Sequence, residues 1–254
     1  MWREIEEKKR RLDTLRPLTA KSLRALEAWY DVELTYTSNA IEGNTLTRAE
    51  TALVLEQGLT VRGKPLRDHL EAIDHGDALG HVRRLAARDE PIREVDVRQI
   101  HRLVLARSQP EEAGRCARHQ RQIAGSTARL PSPAEIPPLM GDFGRWLARA
   151  APTPESAFEA HWRLGAVHPF ADGNGRTARL LMNLILLKAG YPPVVIGPEQ
   201  RPDYIDALET RRTTGDAEPY RRFMAARLGA SLDHHLETAA KELQPGPFGP
   251  GERP

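Results

Sequence analysis

The sequence predicts an all-α fold that carries one small β-hairpin. Helix-start signals precede long amphipathic stretches, glycine or proline follows most of these stretches, and one short polar–apolar stretch departs from the pattern. Thr47-x-x-Glu50 is a capping box, in which each side chain hydrogen-bonds the backbone of the other residue. Thr153-Pro154 offers an N-cap followed by proline in the first helical position. No internal repeat is evident.

Apolar residues recur at helical spacing along most of the chain. The predicted helices cover residues 2–14, 18–42, 47–58, 65–88, 94–107, 153–167, 177–189, 202–213 and 217–243. The helix over 65–88 contains His69, His75 and His81. Their spacing does not bring two imidazoles to one helix face, so we expect packing or surface roles for them rather than a metal site.

The composition is that of a soluble globular protein. Of the 254 residues, 40% are apolar and 28% are charged, and the formal net charge of +2 is too small to indicate a nucleic-acid partner. The single cysteine, Cys116, excludes an internal disulfide and suits a reducing compartment. No apolar run approaches the roughly 20 residues of a membrane span, and the charged start lacks the apolar segment of a signal peptide. We therefore expect a cytoplasmic protein without a membrane partner.

The run His168-Pro-Phe-Ala-Asp-Gly-Asn-Gly-Arg-Thr-Ala-Arg179 concentrates groups suited to polyphosphate chemistry. Gly173-Asn174-Gly175 lies where a helix begins, and glycines there let backbone N–H groups converge on an anion at the positive helix end. Arg176 and Arg179 are three residues apart, so both lie on one side of the first turn and can hold phosphate oxygens.

Two residues that precede Gly173 in the chain complete this set of groups. Asp172 supplies a hard oxygen ligand for Mg²⁺. His168 has an ordinary pKa of about 6.5, so its imidazole can accept a proton near neutral pH. Together with the arginines, these residues predict nucleotidyl or phosphoryl transfer.

The same run resembles the signature of the Fic family, His-Pro-Phe-x-(Asp/Glu)-Gly-Asn-Gly-Arg-x-x-Arg, with every fixed position present. Fic proteins are all-helical and typically transfer AMP from ATP to a Ser, Thr or Tyr hydroxyl of a protein. The resemblance implies that His168 is the general base and that Asp172 binds Mg²⁺ on the α- and β-phosphates.

The resemblance also assigns the nucleotide-binding residues. Gly173, Asn174 and Gly175 would form the anion hole, Arg176 would hold the β- and γ-phosphates, and Arg179 would hold the γ-phosphate. Thr177 belongs to the same nucleotide-binding set, and Phe170 is expected to anchor the turn in the core. Close relatives place an asparagine near the nucleobase, where this chain has Arg212 or Thr213. Tyr204 and Leu208 are candidate walls of that pocket.

A second motif, Ser38-x-x-x-Glu42-Gly43, matches the inhibitory motif of Fic proteins whose inhibitory helix lies on the N-terminal side. Ser38 and Glu42 are four residues apart, so they share a face at the end of the helix over 18–42. The resemblance implies that Glu42 pairs with Arg179 and blocks the γ-phosphate position.

The stretch 115–131 is the predicted hairpin, with Gly125-Ser126 at its turn. In Fic proteins a hairpin flap at this position docks the target segment by strand addition, which here would involve Ile123 and Gly125. The chain then divides into an N-terminal helical region with the inhibitory helix (1–46), a Fic catalytic domain (47–243) and a Pro/Gly-rich tail expected to be disordered (244–254).

Several functions remain open at this point. The leading expectation is an autoinhibited enzyme that moves AMP to a protein target or to itself, with AMP removal assisted by Glu42 as a variant. The alternatives are a nucleotidyltransferase that uses CTP, GTP or UTP or a small-molecule acceptor, and a non-enzymatic helical module that binds nucleotide or a partner. Apolar positions on the N-terminal helices fit either the core or a homodimer interface, and their spacing does not distinguish these.

Overall fold

The computed structural model describes residues 1–122 and 129–243, and these ranges contain α-helices and one 3₁₀ turn but no β-strand. The elements are α1 (Trp2–Thr14), α2 (Ala20–Ile41), α3 (Arg48–Gln57), α4 (Leu66–Ala86), α5 (Glu94–Val104), α6 (Ile136–Leu147), α7 (Pro154–Val167), α8 (Asn174–Lys188), the 3₁₀ turn Pro198–Gln200, α9 (Arg201–Thr214) and α10 (Glu218–Leu243). The all-α prediction is confirmed.

Two features of the fold differ from the sequence prediction or extend it. Helix α6 was not predicted, because Pro137-Pro138 suggests a break; here the prolines occupy the first turn, where a missing N–H costs nothing. The predicted hairpin has its turn within 123–128, outside the described residues. Its described flanks contain an isolated antiparallel bridge between Cys116 and Phe170, so the hairpin itself stays a prediction.

Helix α8 is the centre of the molecule. Every residue from Arg176 to Leu186 is buried, and α8 packs against α7, α4, α5 and α2. A helix that is apolar around most of its circumference has to be enclosed in this way. Burial of each leucine of α8 stabilises the fold by about 1.5–3 kcal/mol as an upper estimate. The start of α8 is therefore held in a fixed position by the packing of the helix in the core.

The N-terminal helices share this core. Leu12 of α1 and Leu26, Tyr30 and Leu34 of α2 belong to the same cluster of buried residues as the α8 leucines. Thr19 caps α2 by accepting a hydrogen bond from the Ser22 amide at 3.1 Å. Packing of α2 against both α8 and α4 carries its C-terminal end to the α8 start.

None of the described helices is both long and apolar enough to cross a bilayer. The predicted domain boundary at residue 46 stays a prediction, and the predicted tail, 244–254, lies outside the described residues.

Among the histidines of α4, the packing role is confirmed for two. His69 accepts a hydrogen bond from the Val61 amide at 2.8 Å, and His75 bonds the Thr35 hydroxyl at 3.1 Å.

Candidate active site

The loop between α7 and α8 holds His168 in an unusual backbone conformation. His168 ends α7 with φ 48° and ψ 56°, and it is the only described non-glycine residue with positive φ. Two residues later, Phe170 is fully buried. Asn174 closes the turn, because its Oδ1 accepts from the Phe170 amide at 3.0 Å and its Nδ2 donates to the Phe170 carbonyl at 2.8 Å. The strained loop is thus held in place by Asn174, at the start of the helix that follows it.

A Cβ on either glycine beside Asn174 would crowd a neighbouring side chain. Gly173 has φ 73°, and a Cβ there would lie 3.3 Å from Val104 Cγ1. A Cβ on Gly175 would lie 2.2 Å from Glu42 Oε1 and 3.0 Å from Arg179 Nη1. The Glu42 carboxylate therefore lies directly against the first turn of α8, where the positive end of the helix dipole favours an anion.

Arg179 fixes the end of α2 at this place. Its Nε donates to Ser38 Oγ at 2.9 Å, and its Nη2 donates to the Ser38 carbonyl and to Glu42 Oε1, both at 2.8 Å. Burial lowers the pKa of Arg179, but Glu42 and Tyr204 together raise it by more, so the net change is upward. The arrangement is a charge-assisted pair between groups 137 residues apart.

The turn after Glu42 is fastened to α4. Gly43 has φ 97°, a conformation that favours glycine. Asn44 Nδ2 then donates to the Asp68 carbonyl and to Glu71 Oε2, both at 3.0 Å. Thr45 donates its amide to Asp68 Oδ2 at 2.8 Å. These bonds hold the carboxylate of Glu42 over α8.

Arg176 is almost completely buried, with 1% of its surface exposed. Its Nη1 lies 3.4 Å from Glu71 Oε1 and its Nη2 lies 3.4 Å from Asp172 Oδ2. Its Nε and Nη1, and the hydroxyl of the buried Thr177, have no hydrogen-bond partner among the described residues. Unpartnered buried donors are rare and costly, so this pocket has unused capacity to bind an anion.

Asp172 is a partly exposed carboxylate with several donors around it. Its Oδ1 accepts from the Gly173 amide at 2.6 Å, and its Oδ2 accepts from Gln109 Nε2 at 2.5 Å and Arg67 Nη2 at 3.0 Å. Burial raises the pKa of Asp172, but Arg176, Gln109 and the other donors around it lower it by more. The net pKa is lowered, so the carboxyl is ionised at neutral pH. The described residues contain no cluster of three or more metal-ligating side chains; the Asp172 carboxylate is a hard oxygen ligand of the kind that Mg²⁺ prefers.

The His168 imidazole is neutral at physiological pH. Partial burial, together with the charges of Arg121 and Arg212, lowers its pKa to about 4. Arg121 donates to the carbonyls of His168 and Phe170, and Arg212 Nη2 donates to the Gly165 carbonyl at 3.1 Å. A neutral imidazole beside an anion-binding helix start is suited to accept a proton during attack on a phosphorus atom.

Comparison with known proteins places this geometry in a family. The family model of the Fic/DOC family matches residues 91–186. A solved structure of Fic-1 (residues 134–508) from C. elegans is 33% identical, with 95% of this chain and 73% of that chain covered at a TM-score of 0.83. The chain belongs to the Fic/DOC family. A Fic domain-containing signaling protein from Bacteroides thetaiotaomicron matches with a TM-score of 0.85 at 28% identity, covering 94% of this chain and 97% of that one.

Curated relatives carry the name protein adenylyltransferase Fic. The one from Nematostella vectensis is 37% identical over 93% of this chain and 56% of its own length. The one from Aedes aegypti is 35% identical over 91% of this chain and 46% of its own length. This chain therefore spans about half the length of the curated relatives it matches.

The structure brings most of the sequence-predicted site residues of this Fic chain together. At the α8 start Arg176 lies near Asp172, and Arg179 bonds Ser38 and Glu42, whose carboxylate lies against Gly175. His168, Gly173 and Thr177 adjoin these residues along the chain. Asn174 uses its side chain to close the turn, so its expected contribution to an anion site is its backbone N–H. Ile123 and Gly125 lie outside the described residues.

The two nucleobase-pocket candidates occupy different environments. Tyr204 is 2% exposed and its hydroxyl bonds His161 Nε2 at 2.7 Å, so it is a core residue. Leu208 is partly exposed and packs at the edge of the core. Arg212 lies near His168, whose pKa its charge lowers, and has a buried Nη1 with no hydrogen-bond partner among the described residues.

Sequence reasoning missed the residues that support the site from α4 and α5. His101 stacks on Phe170 with ring centroids 3.6 Å apart. Since the Gly114 amide donates to His101 Nδ1 at 3.0 Å, Nε2 carries the proton and donates to the Asp172 carbonyl at 3.0 Å. Nothing in the spacing of the chain marks His101, because the contact spans 71 residues.

We predict that Asn174→Ala will disturb the site, whereas Asn183→Ala will not. Both side chains are buried on α8 and both bond the N–H and C=O of one backbone residue, Phe170 or Val194. Each substitution should lower the free energy of unfolding by about 2 kcal/mol. Only Asn174→Ala should shift the imidazole NMR signals of His168. Equal effects of the two variants on His168 would contradict this role.

Proposed function

We propose that this chain is an autoinhibited Fic nucleotidyltransferase that moves AMP from ATP to a hydroxyl group of a protein. One observation carries the proposal. The Glu42 carboxylate, at the end of α2, lies on the start of α8, bonded to Arg179 at 2.8 Å and directly against Gly175. A space that accepts one anion in this way is suited to the terminal phosphate of a nucleotide.

The lining of this space fits a polyphosphate. Gly175 has no room for a Cβ, so the α8 backbone can be approached closely. Arg176 has two buried nitrogens without a hydrogen-bond partner among the described residues. In the proposal the N–H groups of 173–175 bind phosphate oxygens, Arg176 holds the β- and γ-phosphates with Thr177 nearby, and Arg179 holds the γ-phosphate after Glu42 leaves.

Asp172 fits a divalent cation. Its carboxyl is ionised, is 37% exposed and adjoins the proposed phosphate site through Arg176. We propose that it holds Mg²⁺, which when bound neutralises phosphate charge and stabilises the leaving pyrophosphate. Gln109, which donates to Asp172 Oδ2 at 2.5 Å, fixes the orientation of the carboxylate.

His168 performs the proton transfer in this proposal. Its neutral imidazole accepts the proton of the acceptor hydroxyl while the hydroxyl oxygen attacks the α-phosphorus and the bond to pyrophosphate breaks. The low pKa belongs to the protein without nucleotide; the negative charge of a bound triphosphate raises the pKa and strengthens the base. The relatives named adenylyltransferases support AMP as the transferred group.

The inhibitory role of Glu42 follows from competition for one place. A γ-phosphate on Arg179 and the carboxylate of Glu42 are both anionic, and the latter already occupies the bonding position of Arg179 Nη2. Partial exposure of Glu42, 40% of the side chain, makes its displacement feasible. Once displaced, the same carboxylate is available to orient a water for AMP removal from a modified target.

The acceptor in the proposal is a protein side chain, either on a target or on this chain itself. The stretch 115–131 would dock it by backbone pairing, since Cys116 already bridges to Phe170 beside the His168 loop. The only cysteine is unpaired, which suits the reducing cytoplasm.

We predict that Glu42→Gly will raise self-modification by ATP and Mg²⁺ on the order of tenfold or more. A charge-assisted hydrogen bond contributes about 1.5–3 kcal/mol, and the partial exposure of Glu42 places its loss at the lower end of that range. Intact-protein mass spectrometry over time measures the added AMP. Glu27→Gly, at an exposed position of the same helix, is the matched control and should behave like wild type. Equal rates in all three proteins would refute autoinhibition by Glu42.

Catalysis is separated from binding by adding His168→Ala to Glu42→Gly. The double variant should bind ATP as tightly as Glu42→Gly, by calorimetry, and should show no transfer. Transfer at an undiminished rate would remove His168 from its role as the base.

The protonation of His168 gives a pH prediction. A pKa lowered to about 4 means that the imidazole of the nucleotide-free protein is neutral above that value and becomes charged as the pH falls through it. An NMR titration of His168 should therefore show a midpoint near 4. Arg212→Gln should move the midpoint upward, because it removes a nearby positive charge. A wild-type midpoint near 6.5 would contradict the environment described.

A further inference from the structure

The Asp172 carboxylate, the proposed ligand of Mg²⁺, already has hydrogen-bond donors on both oxygens. Its Oδ2 accepts from Gln109 Nε2 at 2.5 Å and from Arg67 Nη2 at 3.0 Å, and Arg176 Nη2 lies 3.4 Å away. Its Oδ1 accepts from the Gly173 amide at 2.6 Å. A carboxylate oxygen has about two lone pairs, so those of Oδ2 are already engaged. One of its donors has to leave before Oδ2 binds a metal ion.

Two of the three nitrogen groups around Oδ2 are held in place. Arg176 is 1% exposed. Gln109 follows Arg107 and Ser108, whose backbone amides both donate to Asp74 Oδ2 at 2.9 Å, and Asp74 is completely buried. Displacing either Arg176 or the segment that carries Gln109 would therefore disturb buried polar groups, which is costly.

Arg67 is the donor that is free to leave. It lies in the first turn of α4, and its side chain is 57% exposed. Its Nε donates to Glu71 Oε1 at 2.9 Å, a bond that does not involve Asp172. Ion pairs this exposed are weak. The bond to Glu71 can thus keep the arginine in place while the contact of Nη2 with Asp172 is exchanged for a metal ion.

The charges around Asp172 also favour this exchange. Arg67 and Arg176 face Asp172 and Glu71, so two positive charges balance two negative ones. A divalent cation would add two positive charges within a few ångströms of Arg67, whichever oxygen of Asp172 it used. Like charges at such distances repel, and the buried Arg176 has no room to withdraw.

We propose that Arg67 is a placeholder cation, which occupies the Asp172 carboxylate and competes with the divalent cation for it. This inference rests on the proposed function, in which Asp172 holds Mg²⁺. Its consequence is that the carboxylate binds a divalent cation weakly when no nucleotide is present. With a nucleotide, the phosphates supply further oxygen ligands and the cation displaces Arg67 more readily.

The test measures the binding of Mn²⁺ alone, without nucleotide. Mn²⁺ is paramagnetic and broadens the NMR signals of nearby nuclei, and the Gly173 amide reports on this site because it donates to Asp172 Oδ1. Arg67→Gln should reach half-maximal broadening of the Gly173 amide at a Mn²⁺ concentration about three- to fivefold lower than wild type. An unchanged or higher concentration would overturn the inference.

Two further variants make the test specific. Arg67→Lys keeps the charge but loses the fork that joins Glu71 to Asp172, so its value should lie between those of wild type and Arg67→Gln. If Arg67→Gln does not fold, Arg67→Lys carries the test, and a wild-type value for it would overturn the inference.

Arg163→Gln is the matched control. Arg163 also pairs with a glutamate four residues away, Glu159, at 2.7 Å, and it is 40% exposed. It lies on α7 over the ring of Trp146. Arg163→Gln should behave like wild type. A shift as large as that of Arg67→Gln would show that any lost positive charge suffices, which would contradict a placeholder role.

Asp172→Asn separates the inference from the function on which it rests. If Mn²⁺ broadens the Gly173 amide of Asp172→Asn as it does in wild type, Asp172 is not the metal ligand, and the proposed role of Asp172 fails. If Asp172→Asn abolishes the broadening while Arg67→Gln leaves the required Mn²⁺ concentration unchanged, the metal site stands and only the placeholder role fails.

Discussion

The contact between Glu42 and the start of α8 is the constraint on which the rest of the site depends. The first turn of α8 gathers a helix dipole, Arg176 and Arg179 within a largely buried space. Positive charge in such a place requires an anionic partner, because burying it unpaired is costly. In this structure Glu42, at the end of α2, provides that partner for Arg179, while Glu71 and Asp172 face Arg176. The absence of a side chain on Gly175 lets the Glu42 carboxylate lie against the α8 backbone.

The fold holds both partners of the Glu42–Arg179 contact in place. Helix α8 is enclosed on all sides and so fixes both arginines, while α4 fastens the turn after Glu42 through Asp68 and Glu71. The partners differ in mobility: Arg179 is 6% exposed, whereas the Glu42 side chain is 40% exposed. A rigid cation paired with a more accessible carboxylate is an arrangement in which the carboxylate is the group that can be exchanged for a ligand.

Much of this arrangement was predictable from the sequence, for identifiable reasons. Helices α2, α3 and α7 begin at threonine caps. The run from His168 to Arg179 is local, so spacing alone places its groups on one turn. The pairing of Ser38 and Glu42 with Arg179 came from a resemblance, since no local pattern joins residues 137 positions apart. Helix α6 was missed because two prolines at a helix start resemble a break. His101, Glu71 and Tyr204 owe their environment to packing between distant helices, which periodicity does not report.

We propose that the Glu42 carboxylate and the terminal phosphate of a nucleotide compete for Arg179. The most direct measurement is the ratio of the dissociation constants of ADP and ATP, determined by calorimetry with Mg²⁺ for wild type and for Glu42→Gly. We expect a ratio near one in wild type, because the γ-phosphate gains nothing where Glu42 already lies, and a ratio about tenfold or more higher in the variant. The same ratio in both proteins would contradict it.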